Sequence, residues 1–174
     1  MDQLAIAPNK EVSVIEVMEK SYSPELTSVE AMMLEMPQID CPIENRFTDG
    51  LYTRQIFMPK GAIVASKIHK TEHQFIISMG DCSVWSKETG WQRYLAPYHG
   101  ITKPGARRLL VMHEDTVWTT FHPNPENIQD VSELESRLIL PHKVGELGFD
   151  TDELLTYTNN PSIEEDIKNK ELAS

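Results

Sequence analysis

The chain has 174 residues, of which 40% are hydrophobic, so it is long enough for one domain with a core and extensions. Its formal net charge of -11 argues against a nucleic-acid-binding protein, because phosphate contacts need a positive field. No apolar run approaches the roughly 20 residues of a membrane-spanning helix, and the two cysteines are too few for a disulfide scaffold. These features predict a cytoplasmic protein without membrane or nucleic-acid partners.

The first 45 residues are predicted to form a helical N-terminal extension. Thr27 and Glu30 have the spacing of a capping box just before the apolar run 31–36, and Pro37 ends the helix. We interpret the four methionines between residues 18 and 36 as flexible residues that fill a core, rather than as an adaptable binding surface.

Residues 46–125 are predicted to form a β-barrel. Short β-forming runs alternate with turn dipeptides such as Gly80-Asp81 and Pro104-Gly105, which is typical of sandwiches and jelly rolls. The predicted strands are Leu51–Met58, Ala62–Ile68, His73–Met79, Cys82–Ser86, Trp91–Leu95, Arg107–His113 and Thr116–Phe121.

Two of these strands are predicted to carry a histidine on their inward face. Successive side chains alternate between the faces of a strand, so residues of equal parity lie together. The two predicted inward sets are His73, Phe75, Ile77 and Met79 in one strand and Arg107, Leu109, Val111 and His113 in the other.

Residues 126–174 are predicted to form a helical, acidic C-terminal arm. Asp130 and Glu133 form a second capping box and open a helix through Leu140, which Pro141 ends. An extended segment over 144–160 and a third helix over Ser162–Lys170 complete this prediction.

Charge is unevenly distributed along the chain. Residues 46–122 carry a net charge of +4, and the flanks together carry -15. The acidic C-terminal part is interpreted either as a solubility device or as an interaction arm that contacts a basic barrel of another copy.

His69 and His73 are a candidate pair of metal ligands. On one continuous strand they would lie about 13 Å apart, whereas ligands of one ion must converge. A shared metal therefore requires a turn between them, which residues 70–72 can form.

Two stretches resemble the motifs of the cupin superfamily. Residues 61–73, followed by Gly80, resemble the first cupin motif, in which a glycine leads into an HxH pair, a carboxylate and a second glycine. Residues 101–108 resemble the second motif, in which a Pro-Gly turn leads to a further histidine. The segments 36–38, 47–52, 69–73 and 113–122 are similar to short single-domain cupins of bacteriophages and bacteria. The resemblance implies a mainly β, cupin-like jelly-roll barrel with helical N- and C-terminal extensions.

The sequence departs from the cupin ligand set at three positions. Lys67 stands at the first histidine position, His73 at the carboxylate position and Arg107 near the last histidine position. Arginine cannot deprotonate to bind a metal, so the usual three-histidine, one-carboxylate set is incomplete. One divalent ion (Zn, Fe, Mn or Ni) could still bind to His69 and His73 with Glu72 or His113, or no metal is bound.

The same pocket has a second interpretation, which is electrostatic. Lys67, Arg107 and Arg108 are candidate ligands of a small anion, since the arginine fork matches carboxylate and phosphate geometry. Alternatively, the two arginines form ion pairs with Glu114, Asp115 or the acidic flanks.

Two classes of function follow from these features. The first is a non-catalytic cupin-fold assembly module that forms a homo-oligomer or a larger protein assembly, such as a bacteriophage virion component. The alternative is a metal-dependent cupin enzyme, or a protein that binds a sugar or an organic acid, which uses His69 and His73. A metal-free variant of the second class would use His73 as a general base.

Overall fold

The computed structural model describes residues 14–146, and it is mainly β. The helices are α1 (Val14–Ser21), α2 (Pro24–Leu34) and α3 (Val131–Leu138). The strands are β1 (Ile43–Thr48), β2 (Gly50–Met58), β3 (Ile63–Ala65), β4 (Ile68–His69), β5 (His73–Met79), β6 (Asp81–Ser86), β7 (Gly90–Leu95), β8 (Tyr98–Thr102), β9 (Arg108–Met112), β10 (Thr116–Asn124) and β11 (Ile139–Leu140). In this part of the chain no helix is long and apolar enough to cross a bilayer.

The strands form two main antiparallel sheets and one short ribbon. One sheet has the order β1-β2-β10-β5-β8 and the other has the order β3-β9-β6-β7, while β4 pairs with β11. Apart from the hairpins β1-β2 and β6-β7, neighbours in the sheets are not consecutive in sequence, as in a jelly roll, where successive strands cross between two facing sheets. The predicted mainly β, cupin-like jelly-roll class is confirmed.

The hydrophobic core lies between the two main sheets. Inward positions alternate with outward ones along the central strands, most clearly in β5, whereas the edge strands β1 and β7 carry no buried residue. The buried core side chains include Met58, Phe75, Ile77, Cys82, Val84, Leu110, Met112 and Trp118. The predicted inward face of β5 is confirmed for His73, Phe75 and Ile77, although Met79 at the end of the strand is exposed.

The predicted inward face of β9 is wrong. Leu110 and Met112 are buried in the core, so the residues of opposite parity, Leu109 and Val111, lie on the other face. Both faces of this strand are apolar in sequence, and alternation alone therefore cannot distinguish them. His113 consequently does not point into the barrel.

Gly80 is required at the turn between β5 and β6. Its φ of +108° favours glycine, and a Cβ atom there would lie 2.3 Å from Thr116 Oγ1 and 2.6 Å from Asp115 O. This glycine allows the hairpin to pack closely against the start of β10.

From residue 14 onwards, where the structure describes it, the N-terminal extension contains two helices, α1 and α2. The cap of α2 is Ser23, whose side chain accepts a hydrogen bond from Leu26 N, and Thr27 lies inside the helix. Met18 is buried, as the core interpretation predicts, but Met32 is 69% exposed and Met36 is 54% exposed, so that interpretation is wrong for these two. A strand, β1, already begins at Ile43.

The C-terminal helix begins where the sequence predicts and ends earlier. Asp130 is the N-cap of α3, and its side chain accepts a hydrogen bond from Glu133 N. The chain then leaves the helix after Leu138 and forms β11 against β4, which corrects the predicted helix end at Leu140. The predicted third helix and most of the extended segment lie outside the described residues.

A buried carboxylate joins α2 to the barrel and to the segment after β11. Glu30 Oε2 accepts a hydrogen bond of 2.7 Å from Arg107 Nη2 and one of 3.1 Å from Gly145 N. His142 Nε2 lies 3.6 Å from Glu30 Oε1. The side chains of Glu30 and Arg107 are only 2% and 7% exposed, so this contact is shielded from solvent.

This contact predicts a specific loss of stability in acid. Burial opposes ionisation, but interactions with His142, Arg107 and Gly145 N outweigh it and lower the pKa of Glu30 from 4.5 to about 2. Because the folded-state pKa is the lower one, the stabilisation is fully present above pH 4.5 and is lost as the pH falls towards 2. Between pH 7 and pH 3, Glu30 should account for a loss of about 2 kcal/mol in the free energy of unfolding.

Urea unfolding at both pH values measures this loss in the wild-type protein and in Glu30→Gln. The variant should show a correspondingly smaller difference between pH 7 and pH 3. An equal difference in the two proteins would contradict a lowered pKa for Glu30.

Candidate metal centre

A cavity of about 210 Å³ opens between the two main sheets. Its inner wall is apolar and includes Ile56, Leu110 and Trp118, whereas its polar lining comes from three histidines, three basic residues, Glu135 and several hydroxyl side chains. A concave, mostly apolar site with a few convergent polar groups is the usual form of a small-molecule site.

Three histidines converge at this cavity. His69 is the last residue of β4, His73 is the first residue of β5, and His122 lies near the end of β10. The ring centroid of His73 is 4.3 Å from that of His69 and 4.4 Å from that of His122, and the other two centroids are 5.6 Å apart. One nitrogen of each ring lies within 4.8 Å of the others, so the three side chains are close enough to hold one metal ion.

Residues 70–72 form the turn that brings His69 and His73 together, as the sequence predicts. Two further contacts hold His69 in place. It pairs with Ile139 in the ribbon of β4 and β11, and its carbonyl oxygen accepts a 2.8 Å hydrogen bond from Gly105 N. Gly105 has a φ of +80°, which the turn after Pro104 requires.

The three imidazoles are neutral at physiological pH. Burial is the largest cause: it lowers the pKa of His73 to about 4 and that of His122 to about 3. Burial, together with the charges of the other two rings and of Arg54 and Arg108, lowers the pKa of His69 well below its ordinary value. Neutral imidazole is the form that coordinates metals.

The hydrogen bonds of the cluster leave ligand atoms free. Nδ1 of His69 and Nδ1 of His122 are buried and have no hydrogen-bond partner. His73 Nδ1 lies 3.3 Å from the carbonyl oxygen of Thr71, which can only accept, so Nδ1 carries the proton and Nε2 keeps its lone pair. Buried polar atoms rarely lack a partner, and an ion shared by the three rings would supply one. The residues therefore fit a metal.

Two predicted metal ligands are wrong. Glu72 forms an ion pair with Lys103, and both side chains are more than half exposed on the outside of the barrel. His113 Nε2 lies 2.7 Å from Ser83 Oγ. His113 is on the outer face, because the alternate residues Leu110 and Met112 are the ones that face the core. Neither belongs to the cluster at the cavity.

The three predicted anion ligands have different positions. Lys67 lines the cavity, but its Nζ donates to both carboxylate oxygens of Glu135 at 2.9 Å. Arg107 does not line the cavity, because it is ion-paired with Glu30 of the N-terminal flank, so its predicted role in the pocket is wrong. Arg108 lines the cavity, and its role in binding an anion stays a prediction.

The sequence analysis missed His122 and Arg54, which both line the cavity. The predicted last strand ended at Phe121, one residue before the histidine. Alternation from the buried Trp118 through Thr120 would have placed His122 on the inward face. Alternation in β2, from the buried Tyr52, likewise places Arg54 inward.

No protein-family model matches the sequence, and no curated protein matches it. Solved structures resemble parts of the chain. A protein with a double-stranded β-helix domain from Klebsiella pneumoniae is 13% identical, and the match covers 53% of this chain and 85% of that one with a TM-score of 0.44. A cupin superfamily protein from Desulfitobacterium hafniense is 7% identical over 53% of this chain and 85% of that one, with a TM-score of 0.42. A salicylate 1,2-dioxygenase from Pseudaminobacter salicylatoxidans is 14% identical over 67% of this chain and 37% of that one, with a TM-score of 0.46. At these identities nothing about ligand or activity follows.

Proposed function

We propose that this protein is a metal-dependent enzyme of the jelly-roll type, which binds one divalent ion through His69, His73 and His122 and acts on a small molecule in the adjoining cavity. The observation that carries the proposal is the convergence of three neutral imidazoles, of which His73 and His122 are buried and His69 is half-buried; two of the rings have a buried nitrogen without a partner. Without a metal, nothing in the described part of the chain satisfies those two nitrogens.

The ligand set narrows the choice of metal. Three neutral imidazoles without a carboxylate form an all-nitrogen site, which suits zinc, iron, nickel or copper better than magnesium or calcium. Such a metal supplies Lewis-acid activation of a bound oxygen, since three protein ligands leave further coordination positions for water or substrate. The surrounding protein orients the rings and keeps the site partly dry through its apolar inner wall.

Elemental analysis of the purified protein tests this proposal. We expect about one equivalent of a transition metal in the wild-type protein and a loss of at least ten-fold in metal affinity in His69→Ala, His73→Ala and His122→Ala. Matched controls are His99→Ala, at an exposed position of β8, and His113→Ala, on the outer face; both should retain the metal.

Two outcomes would contradict the metal centre. One is a metal-free wild-type protein that fails to take up zinc, iron or nickel in a dialysis experiment. The other is metal uptake that all three cluster variants retain. The assembly role and the homo-oligomer predicted from the sequence stay predictions, as does the phage origin.

A further inference from the structure

Two arginines flank the histidine cluster from opposite sheets. Arg54 lies on β2 and Arg108 lies on β9, and both line the cavity. Arg108 Nη1 donates a 2.9 Å hydrogen bond to Thr102 Oγ1, and its guanidinium carbon lies 5.6 Å from the centre of the Phe75 ring. Within residues 14–146, neither arginine forms an ion pair with a carboxylate.

This arrangement leaves positive charge uncompensated at the cavity. A guanidinium taken out of water is costly unless an anion accompanies it. The third cation of the lining, Lys67, already has Glu135 as its partner. A divalent ion on the histidines would add two further positive charges.

The strand register arranges the lining in layers. Going into the barrel, the inward residues of β10 and their partners on β2 are, in order, His122 with Tyr52, Thr120 with Arg54, and Trp118 with Ile56. On the opposite sheet, Arg108 lies on the same inward face of β9 as the buried Leu110, two residues before it. The cavity therefore has imidazoles in its first layer, guanidinium groups in its second layer and an apolar wall in its third layer.

We propose that the ligand of this cavity is a small amphipathic organic acid. Its carboxylate lies between the histidine cluster and the guanidinium groups of Arg54 and Arg108, and its apolar body contacts Ile56, Leu110 and Trp118. The cavity of about 210 Å³ is smaller than the roughly 300–1,000 Å³ of drug-sized sites, so the acid has one ring or a short chain. This inference rests on the proposed metal-dependent function, whose substrate class it names.

Benzoate is the probe for this inference, and benzamide is its neutral counterpart of nearly equal shape. Isothermal titration of the metal-loaded protein should show benzoate binding and no measurable benzamide binding. Arg54→Gln and Arg108→Gln should each weaken benzoate binding at least ten-fold while the metal content stays unchanged. Lys103→Gln, which removes an exposed cation outside the cavity, should leave the affinity unchanged.

Arg108→Gln is the variant with the greater risk of misfolding, because the Arg108 side chain contacts both Thr102 and the ring of Phe75. Thermal melting and metal content are therefore measured for each variant first. If Arg108→Gln does not fold, Arg54→Gln and the comparison of benzoate with benzamide decide the result.

Any one of four results would overturn the inference. The first two are the absence of benzoate binding to the metal-loaded protein and equal affinities for benzoate and benzamide. The third is inorganic phosphate binding as tightly as benzoate, since phosphate has no apolar body. The fourth is that the arginine variants keep both the metal and the wild-type benzoate affinity. If the wild-type protein holds no metal but still binds benzoate through the two arginines, the metal-dependent function fails and the acid site stands.

Discussion

Replacing Glu30 by alanine is expected to lower the free energy of unfolding by about 3–5 kcal/mol. The substitution leaves the guanidinium of Arg107 buried without its carboxylate, and it also removes the acceptor of the hydrogen bond from Gly145 N. Urea unfolding at pH 7 measures the change. Glu72→Ala is the matched control, because it breaks the exposed ion pair with Lys103 and should cost less than about 1 kcal/mol.

A double-mutant cycle separates the ion pair from the other contacts of Glu30. Arg107→Met alone should also be destabilising, because it leaves the carboxylate buried without its strongest donor. The double variant Glu30→Ala, Arg107→Met should be less destabilised than the sum of Glu30→Ala and Arg107→Met, since no uncompensated charge remains. Strictly additive single changes would show that the two side chains do not interact in solution.

Removing the metal is expected to lower the melting temperature of the wild-type protein by roughly 10 °C. An ion at a thousand times its dissociation constant stabilises the folded state by about 4 kcal/mol, and a protein of this size shifts by about 2–4 °C for each kcal/mol. Thermal melts with zinc and with a chelator measure the difference.

His122→Ala provides the specificity control for this measurement. The variant lacks one of the three rings, so zinc should raise its melting temperature by much less than it raises that of the wild-type protein. A zinc-induced shift of the same size in His122→Ala would place the ion elsewhere on the protein.

The sequence predicts the strands best where alternation and turn residues agree. β5 occupies the predicted bounds His73–Met79. The turn between His69 and His73 lies at the position that a metal shared by the two rings requires. β8 was missed because Gly100 interrupts a short run that follows a proline, and both features weaken a strand signal. β11 was missed because its two residues continue the apolar pattern of α3, and only their pairing with β4 makes them a strand.

The candidate site was predictable only in part. His69 and His73 are close in sequence, so their proximity could be predicted from a single turn between them. The position of Arg107 depends on Glu30, which is 77 residues away, and no local pattern reveals such a pair. His122 also joins the cluster through long-range strand pairing, which single-sequence alternation can suggest but cannot establish.

The ribbon of β4 and β11 has a consequence for the order in which the histidine cluster is completed during synthesis. The strand partner of His69 is Ile139, which leaves the ribosome 70 residues later and after His122. A nascent chain that ends before β11 thus contains all three histidines but lacks the strand that fixes the first of them. The assembled cluster is therefore a marker of a finished barrel, and metal capture would favour complete chains over interrupted ones.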